Sequence, residues 1–313
     1  MRARSLLLSS LLLSSLVPMA GRAAPAQDSE APLEVIVSIL PQQYLVERVA
    51  GERAEVLALV QPGDNPATYS PGPATLVALG GARLWFTIGV HFETLWLERI
   101  TRDRPGLEVV DLADGLPLRH LRESLSPDDD ETTARHDGHD HHAGTPDPHT
   151  WTDPRLAARM VGRIEAALAR VDPQHAQQYA ARSARLQREL LDLHEEIAAR
   201  LEPLRGSVFI VFHPSWGYFA DAYGLVQLPI ETGGREPGPR GLAAIIERGR
   251  GAGVGAVFVQ QQFSQRTARA VAEALDAELV EADPLAYDYI ENLRAVSIRM
   301  AEALGDRPAG DAR

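Results

Sequence analysis

The sequence predicts an α/β protein of two lobes, each a mostly parallel four-stranded sheet flanked by helices, joined by one long rigid α-helix. Short apolar runs alternate with helical patterns before residue 115 and again after Gly206, which is typical of βα units in parallel sheets. Between the two series, apolar residues recur at spacings of three, four and seven from Tyr179 to Leu201. This periodicity predicts one helix that approaches about 30 residues, well above the usual length.

The first series contains four predicted strands. Each is a short apolar run that ends at a turn-rich or helical stretch. The strands are expected at 33–39, 56–60, 84–88 and 107–112, with helices at 41–49 and 92–100. These elements define an N-terminal lobe of residues 32–153.

The second series repeats the pattern and predicts a C-terminal lobe of residues 206–305. Its strands are expected at 207–212, 225–230, 255–260 and 277–282, and its helices at 215–223, 239–251, 264–275 and 287–304. A helical segment, residues 154–205, connects the lobes. It contains a helix at 154–171 and then the long helix, which begins near Gln174 after the break at Pro173.

The first 24 residues have the features of an export signal peptide. Arg2 and Arg4 give a positive start, the apolar run 6–17 follows, and small residues at 20–24 suit cleavage. The apolar run is too short to span a bilayer comfortably. Because the chain has no cysteine, a lipid-anchored N-terminal cysteine is not expected. We therefore expect an exported, periplasmic protein without a lipid anchor.

Charge and cysteine content argue against several functions. The formal charge is 31 − 43 = −12, and removing residues 1–24, with three arginines, gives 28 − 43 = −15. Such an acidic chain would repel nucleic-acid phosphates, so no nucleic-acid partner is expected. Without cysteine, neither disulfides nor thiolate metal ligands are available. The chain is expected to act as a monomer.

A histidine-rich tract is the densest group of metal-binding side chains. Four of the ten histidines lie within residues 136–142, between aspartates, in a segment 115–147 rich in Asp, His, Ser, Gly and Pro. Imidazole and carboxylate groups are ligands for zinc and similar divalent ions. We expect a mobile loop that contacts metal through the histidines of this tract, which are His136, His139, His141 and His142.

Further candidate ligands follow the ends of predicted strands. In open parallel sheets, ligands bind beyond the carboxyl ends of the strands, and His213 and Asp283 each follow one such strand. His149 lies between Pro148 and Trp151, a rigid setting that suits a ligand. Each has a structural alternative, since a buried imidazole readily finds a hydrogen-bond partner and an aspartate before proline commonly caps a turn.

Six motifs occur in order along the chain. They are Ile-Leu-Pro-Gln at 39–42, Pro-Gly-Asp-Asn-Pro-Ala-Thr-Tyr-Ser-Pro at 62–71, Asp-Pro-His-Thr-Trp-Thr-Asp-Pro at 147–154, Phe-His-Pro-Ser-Trp-Gly-Tyr-Phe-Ala-Asp-Ala-Tyr-Gly-Leu at 212–225, Phe-Val-Gln-Gln-Gln-Phe-Ser at 258–264 and Asp-Pro-Leu at 283–285. Together they resemble the zinc/manganese-type solute-binding proteins of bacterial metal ABC importers. The resemblance implies two α/β lobes bridged by a rigid helix, with metal bound in the cleft between the lobes.

The resemblance also implies a set of metal ligands. They are His149, His213 and Asp283. A further histidine of the family falls at Ala67, whose methyl group cannot coordinate a metal. Three replacements are open: His91 or Glu93, which follow the third strand, a histidine of the 136–142 tract, or water.

The function implied is high-affinity binding of a divalent metal in the periplasm and its delivery to an ABC importer permease. Zinc is the expected ion, because imidazole-rich sites favour zinc over manganese; manganese or iron is the alternative. The chain is not expected to be an enzyme. A metal-dependent hydrolase and a surface adhesin are competing hypotheses, the first because an open site could activate water. No obvious general base or oxyanion donor supports the hydrolase, although Glu231 and Glu93 stay open for such a role.

Overall fold

A computed structural model describes residues 31–102, 104–121, 146–231, 234–263 and 265–305. The predicted signal peptide, residues 1–24, and the four histidines of the 136–142 tract lie outside these described residues. In the part of the chain that is described, no helix is long and apolar enough to cross a membrane.

The first sheet is parallel throughout, with the strand order β2-β1-β3-β4. Its central strands are continuous apolar runs because both faces of the sheet are covered, as is usual in parallel sheets; every residue of β3 is buried. The strands are β1 (Leu33–Val37), β2 (Ala54–Ala58), β3 (Leu84–Thr87) and β4 (Glu108–Asp111). The helices of this part are α1 (Leu40–Ala50), α2 (Pro73–Ala78) and α3 (His91–Thr101).

The second sheet repeats this topology, with the parallel order β6-β5-β7-β8. The strands are β5 (Val208–Val211), β6 (Val226–Pro229), β7 (Ala256–Val259) and β8 (Glu278–Glu281). The helices are α6 (Gly217–Tyr223), α7 (Pro239–Gly251), α8 (Gln265–Leu275) and α9 (Tyr289–Gly305), while α4 (Pro154–Val171) and α5 (Ala176–Leu201) lie between the two sheets in the chain.

Helix α5 is the predicted long helix. Its 26 residues span about 39 Å at 1.5 Å per residue. The residues that set its periodicity, from Tyr179 to Leu201, form the buried face. That face contacts α1 and α4, and α5 also packs against α9. The two-lobe α/β fold with one long helix is therefore confirmed.

A shared hydrophobic core connects the two sheets. It contains Phe86 of β3, Leu190 of α5 and Phe258 of β7. A second core, with Ile210 of β5 and Val271 of α8, covers the other face of the second sheet. Because one face of the second sheet belongs to the same core as the first sheet, the strand ends of both sheets are held in a defined relationship.

The structure differs from the sequence-based expectations in detail. Seven of the eight strands are one or two residues shorter than the apolar runs that predict them, and β2 has the predicted length but begins and ends two residues earlier. Helix α2 was not predicted, since its six residues include none that is buried and so carry no amphipathic pattern.

Candidate metal centre

A cavity of about 430 Å³ lies between the lobes, where the strands of both sheets end. Its wall includes residues that follow four different strands, as the rule for open parallel sheets predicts. These are His91 after β3, His213 after β5, Glu231 after β6 and Gln260 after β7. Ala67, in the turn that follows β2, and His149, in the segment before α4, also line it.

His149 is fixed by Asp147 so that its Nε2 is free to face the cavity. The Nδ1 atom lies 2.6 Å from Asp147 Oδ1, and the same oxygen accepts the His149 backbone N–H at 3.0 Å. His149 is only 7% exposed. Burial lowers the pKa of His149, although Asp147 acts in the opposite direction. Its imidazole is therefore neutral at neutral pH, which is the form that binds metal.

His213 meets His149 from the second lobe. The Nε2 atoms of the two rings are 3.3 Å apart. On the other side of its ring, Nδ1 lies 3.3 Å from both carboxyl oxygens of Glu231. The ring stacks on Phe263, with centroids 5.0 Å apart and planes inclined by 19°. Both imidazoles are thus oriented by a carboxyl group at Nδ1, as in metal-binding histidines.

The separation of the two Nε2 atoms matches a tetrahedral zinc site. With zinc–nitrogen bonds of about 2.0–2.1 Å, two ligands of a tetrahedron lie about 3.3–3.4 Å apart. The two Nε2 atoms are thus spaced as two ligands of such an ion would be.

Asp147 is held in turn by Arg119 of its own lobe and by Tyr218 of the second lobe. It is 1% exposed, with Oδ2 3.5 Å from Arg119 Nη1, and its carbonyl accepts the Tyr218 hydroxyl at 3.0 Å. Burial favours the neutral acid, but His149 and Arg119 outweigh it and lower the pKa of Asp147. Gly217 allows this arrangement, because a Cβ at that position would overlap the Arg119 guanidinium.

Asp283 is engaged by neighbouring side chains. Gln261 and Gln262 donate their amide Nε2 to its two oxygens at 2.8 and 3.0 Å, and the Leu285 backbone N–H donates at 2.9 Å. The described wall of the cavity contains Pro284 and Leu285 but not Asp283. The structure therefore does not bring this carboxylate together with the two imidazoles.

His91 and Glu93 are placed differently from each other. His91 lines the cavity, whereas the Glu93 carboxyl is buried and accepts the backbone N–H groups of Ile88 at 3.0 Å and Gly89 at 2.7 Å. Burial raises the pKa of Glu93 to about 7 in spite of these bonds and one from Ser38. Glu93 thus holds the turn that carries His91 and does not itself face the cavity.

Two site residues were not recognised as such from the sequence. Glu231 was considered only as a general base, although it follows β6 as His213 follows β5, and that position could have revealed it. Asp147 lies within the motif at 147–154, but the sequence indicates no role for it.

Among the described residues, no group of three or more His, Cys, Asp or Glu side chains is placed to hold a metal. The described part of the chain thus brings together two imidazoles, those of His149 and His213.

Two parallel α/β lobes with His149 and His213 paired in the cavity between them have the architecture of a metal-binding solute receptor. Residues 35–303 match the family model of ZnuA, the periplasmic component A of a zinc-uptake complex. This chain belongs to that family, and the resemblance drawn from the six motifs is confirmed. The comparisons give no support to a hydrolase.

Individual relatives agree with this assignment. The chain is 31% identical over 323 residues to the high-affinity zinc uptake system protein ZnuA of Paracoccus denitrificans (strain Pd 1222), covering 93% of this chain and 98% of that protein. A zinc-bound crystal structure of a ZnuA deletion mutant has 35% identity and a TM-score of 0.79, covering 89% of this chain and 100% of that one. The laminin-binding protein Lmb of Streptococcus agalactiae, described as an adhesin and metal transporter, has 26% identity and a TM-score of 0.72, covering 87% of this chain and 99% of that one.

Proposed function

We propose that this chain captures one zinc ion between its lobes in the periplasm and delivers it to the membrane permease of an ABC importer. Membership of the ZnuA family supports this function. The observation that carries the assignment of the site is the 3.3 Å separation of the Nε2 atoms of His149 and His213. A receptor must bind and release its ion without changing it, so no catalytic group is required.

The two histidines bind the metal, and the carboxyl groups at their Nδ1 atoms set the orientation and basicity of the rings. Asp147 and Glu231 accept from Nδ1, which fixes the tautomer and makes Nε2 more basic.

Other groups must fill the remaining coordination positions of the metal. His91 is the first candidate because it lines the same cavity. Asp283 would have to leave Gln261 and Gln262, and Glu93 would have to leave two backbone N–H groups.

Zinc is the proposed ion and manganese the alternative. Two imidazole nitrogens form a site that favours zinc, whereas manganese prefers oxygen ligands.

The histidines of the 136–142 tract are proposed as additional, weaker metal contacts. Residues 1–24 are proposed to direct export, without a lipid anchor, and the receptor is proposed to act as a monomer.

A metal competition experiment tests the proposed function. The purified, metal-stripped chain is titrated with zinc and with manganese against a chromogenic chelator, and stimulation of the cognate permease's ATPase by the loaded chain is then measured. We expect one tight zinc equivalent, weaker manganese binding and stimulation by the zinc-loaded form only. If the chain binds no metal tightly, or if it binds manganese more tightly than zinc, the proposal fails.

A further inference from the structure

We infer that this receptor takes its zinc as a complex with a small chelator, an α-amino or α-hydroxy carboxylic acid, which supplies the coordination positions that the described residues leave open. The inference rests on the proposed zinc function and concerns the same cavity. It names a zinc chelate, not only the bare ion, as the substrate.

The first argument is the number of protein ligands. Zinc takes four ligands in a closed site, and His149 and His213 supply two. Ala67 lines the cavity beside them, and its turn is fixed, since the Ala67 backbone N–H donates to Asn65 Oδ1 at 2.8 Å. A methyl group stands at that part of the wall and offers no lone pair.

The neighbouring carboxyl groups already contact other groups of the protein. Glu231 lies at Nδ1 of His213, away from the Nε2 side of the ring. Asp283 accepts from two glutamine side chains, and Glu93 accepts from two backbone N–H groups. If His91 contributes a third nitrogen, one tetrahedral position still remains. The described site therefore has room for an external ligand even in its most complete form.

The second argument is volume. The cavity measures about 430 Å³, whereas one water molecule takes about 30 Å³ and small-molecule pockets measure about 300–1,000 Å³. Its wall includes Phe263, Trp151 and Leu285, an apolar surface of the kind that packs against organic ligands. A bare ion with one or two waters would leave most of this space without a packing partner.

The third argument is charge. Zinc bound by two neutral imidazoles keeps both positive charges. Asp147 is already paired with Arg119 at 3.5 Å, and the Glu231 carboxyl faces Nδ1 of His213, not the Nε2 side of the ring. An uncompensated charge beside an apolar wall is costly. A carboxylate ligand on the metal would neutralise one of the two charges, and no arginine lines the described cavity to compete for it.

Gln262 indicates what else the ligand carries. Its Nε2 donates to Asp283 at 3.0 Å, which orients the amide. Its Oε1 is buried and has no hydrogen-bond partner within the described chain, and the residue lines the cavity. An unpaired buried acceptor favours a ligand with an N–H or O–H donor. A carboxylate with an α-amino or α-hydroxyl group has such a donor and chelates zinc through two atoms.

Equilibrium dialysis of the full chain tests the inference. The probes are radiolabelled L-histidine, an α-amino acid, and citrate, an α-hydroxy acid, with acetate as a carboxylate that lacks an α-donor. We expect one L-histidine or citrate to be retained per bound zinc, and none without zinc. Because coupling between two ligands is reciprocal and typically about 5–150-fold, a saturating probe should raise zinc affinity by the same factor that zinc raises probe affinity.

The Ala67→His variant provides the decisive comparison. It adds a protein ligand at the wall, so it should bind zinc without a probe at least as tightly as the native chain and should lose probe retention. Ala166→His is the matched control, because Ala166 is exposed on α4 and does not line the cavity. This control should retain the probe as the native chain does.

The other outcomes separate the two proposals. If one zinc binds tightly and neither L-histidine nor citrate is retained, the chelate inference is overturned and the zinc function stands. It is equally overturned if retention appears only after deletion of residues 136–142, since the tract then supplies the missing ligands, or if acetate is retained as well as the chelators. If the chain binds no zinc with or without a probe, the proposed function itself fails.

Discussion

The Nε2 atoms of His149 and His213 lie 3.3 Å apart, although the two residues are 64 positions apart in the chain and approach from different lobes. The shared core and α5 hold the two lobes, and a carboxyl group orients each ring. The fold therefore sets the geometry of the pair, so little ordering would remain on binding the zinc ion that we propose.

Replacing either histidine of the pair should remove tight zinc binding. His149→Ala and His213→Ala should each weaken zinc affinity by more than about 100-fold, the upper end of the loss caused by a change behind a ligand. His194→Ala is the control, since His194 stacks on Tyr223 and does not line the cavity. Competition with a chelator of known affinity gives the constants. Native affinity in either site variant would contradict the assignment.

The carboxyl groups behind the histidines should matter less than the histidines themselves. Asp147→Asn and Glu231→Gln should each weaken zinc binding by about 10–100-fold while one zinc equivalent is kept, as is usual for groups that orient a ligand. Asp221→Asn is the control because Asp221 also pairs with Arg119 but is largely exposed. Isothermal titration separates affinity from stoichiometry. Loss of the bound zinc equivalent would instead show that the replaced carboxyl group coordinates zinc directly.

Gly217 should affect zinc binding without touching the metal. Gly217→Ala would push its Cβ into the Arg119 guanidinium and so disturb Asp147, the partner of His149. We expect weaker zinc binding and a less stable fold. Gly162→Ala, in the middle of α4, is the matched control, because the added Cβ would meet only the Gln187 side chain, at 3.9 Å. That change should raise the free energy of unfolding by about 0.5–1 kcal/mol and leave zinc affinity unchanged. Equal effects of both changes would contradict the role of Gly217.

Glu93 should make the metal-free chain less stable as pH rises. Its folded pKa is about 7 against an ordinary value of 4.5. Between these values the folded state binds more protons than the unfolded state, so stability falls with increasing pH. The loss amounts to about 3 kcal/mol at 1.36 kcal/mol per pKa unit.

Urea unfolding at about pH 5 and about pH 8 measures this effect, with the pH range chosen to bracket the titration. Glu93→Gln should remove most of the difference in unfolding free energy between the two pH values. Glu98→Gln, on the exposed face of α3, should keep the native difference. An unchanged pH dependence in Glu93→Gln would place the titration elsewhere.

Deletion of residues 136–142 should leave one tight zinc equivalent and remove weaker ones, because the tract is expected to contact metal outside the main site. The stoichiometry and the separate dissociation constants are read from one titration. Complete loss of the tight equivalent would instead mean that the tract replaces the histidine missing at Ala67.

The sequence predicts the architecture well because burial leaves a periodic pattern. The run 84–87 is apolar at every position but its last and becomes the buried strand β3, and the spacing from Tyr179 to Leu201 becomes the buried face of α5. His149 could be selected because it lies within the motif at 147–154, and His213 because it follows the end of a predicted strand.

Long-range partners could not be predicted in the same way. Arg119 contacts Asp147 and Tyr218, and nothing in the local sequence of Arg119 indicates either contact. Asp283 was selected as a ligand by motif, but the amides that engage it are more than 20 positions away. Such pairings depend on how the lobes meet, which local patterns do not encode.

X-ray absorption at the zinc edge of the one-equivalent complex tests the central claim most directly. The account predicts scattering from at least two imidazole rings at about 2.0–2.1 Å, reduced by one ring in His149→Ala and by one ring in His213→Ala. A spectrum without imidazole, or one that either substitution leaves unchanged, would contradict it.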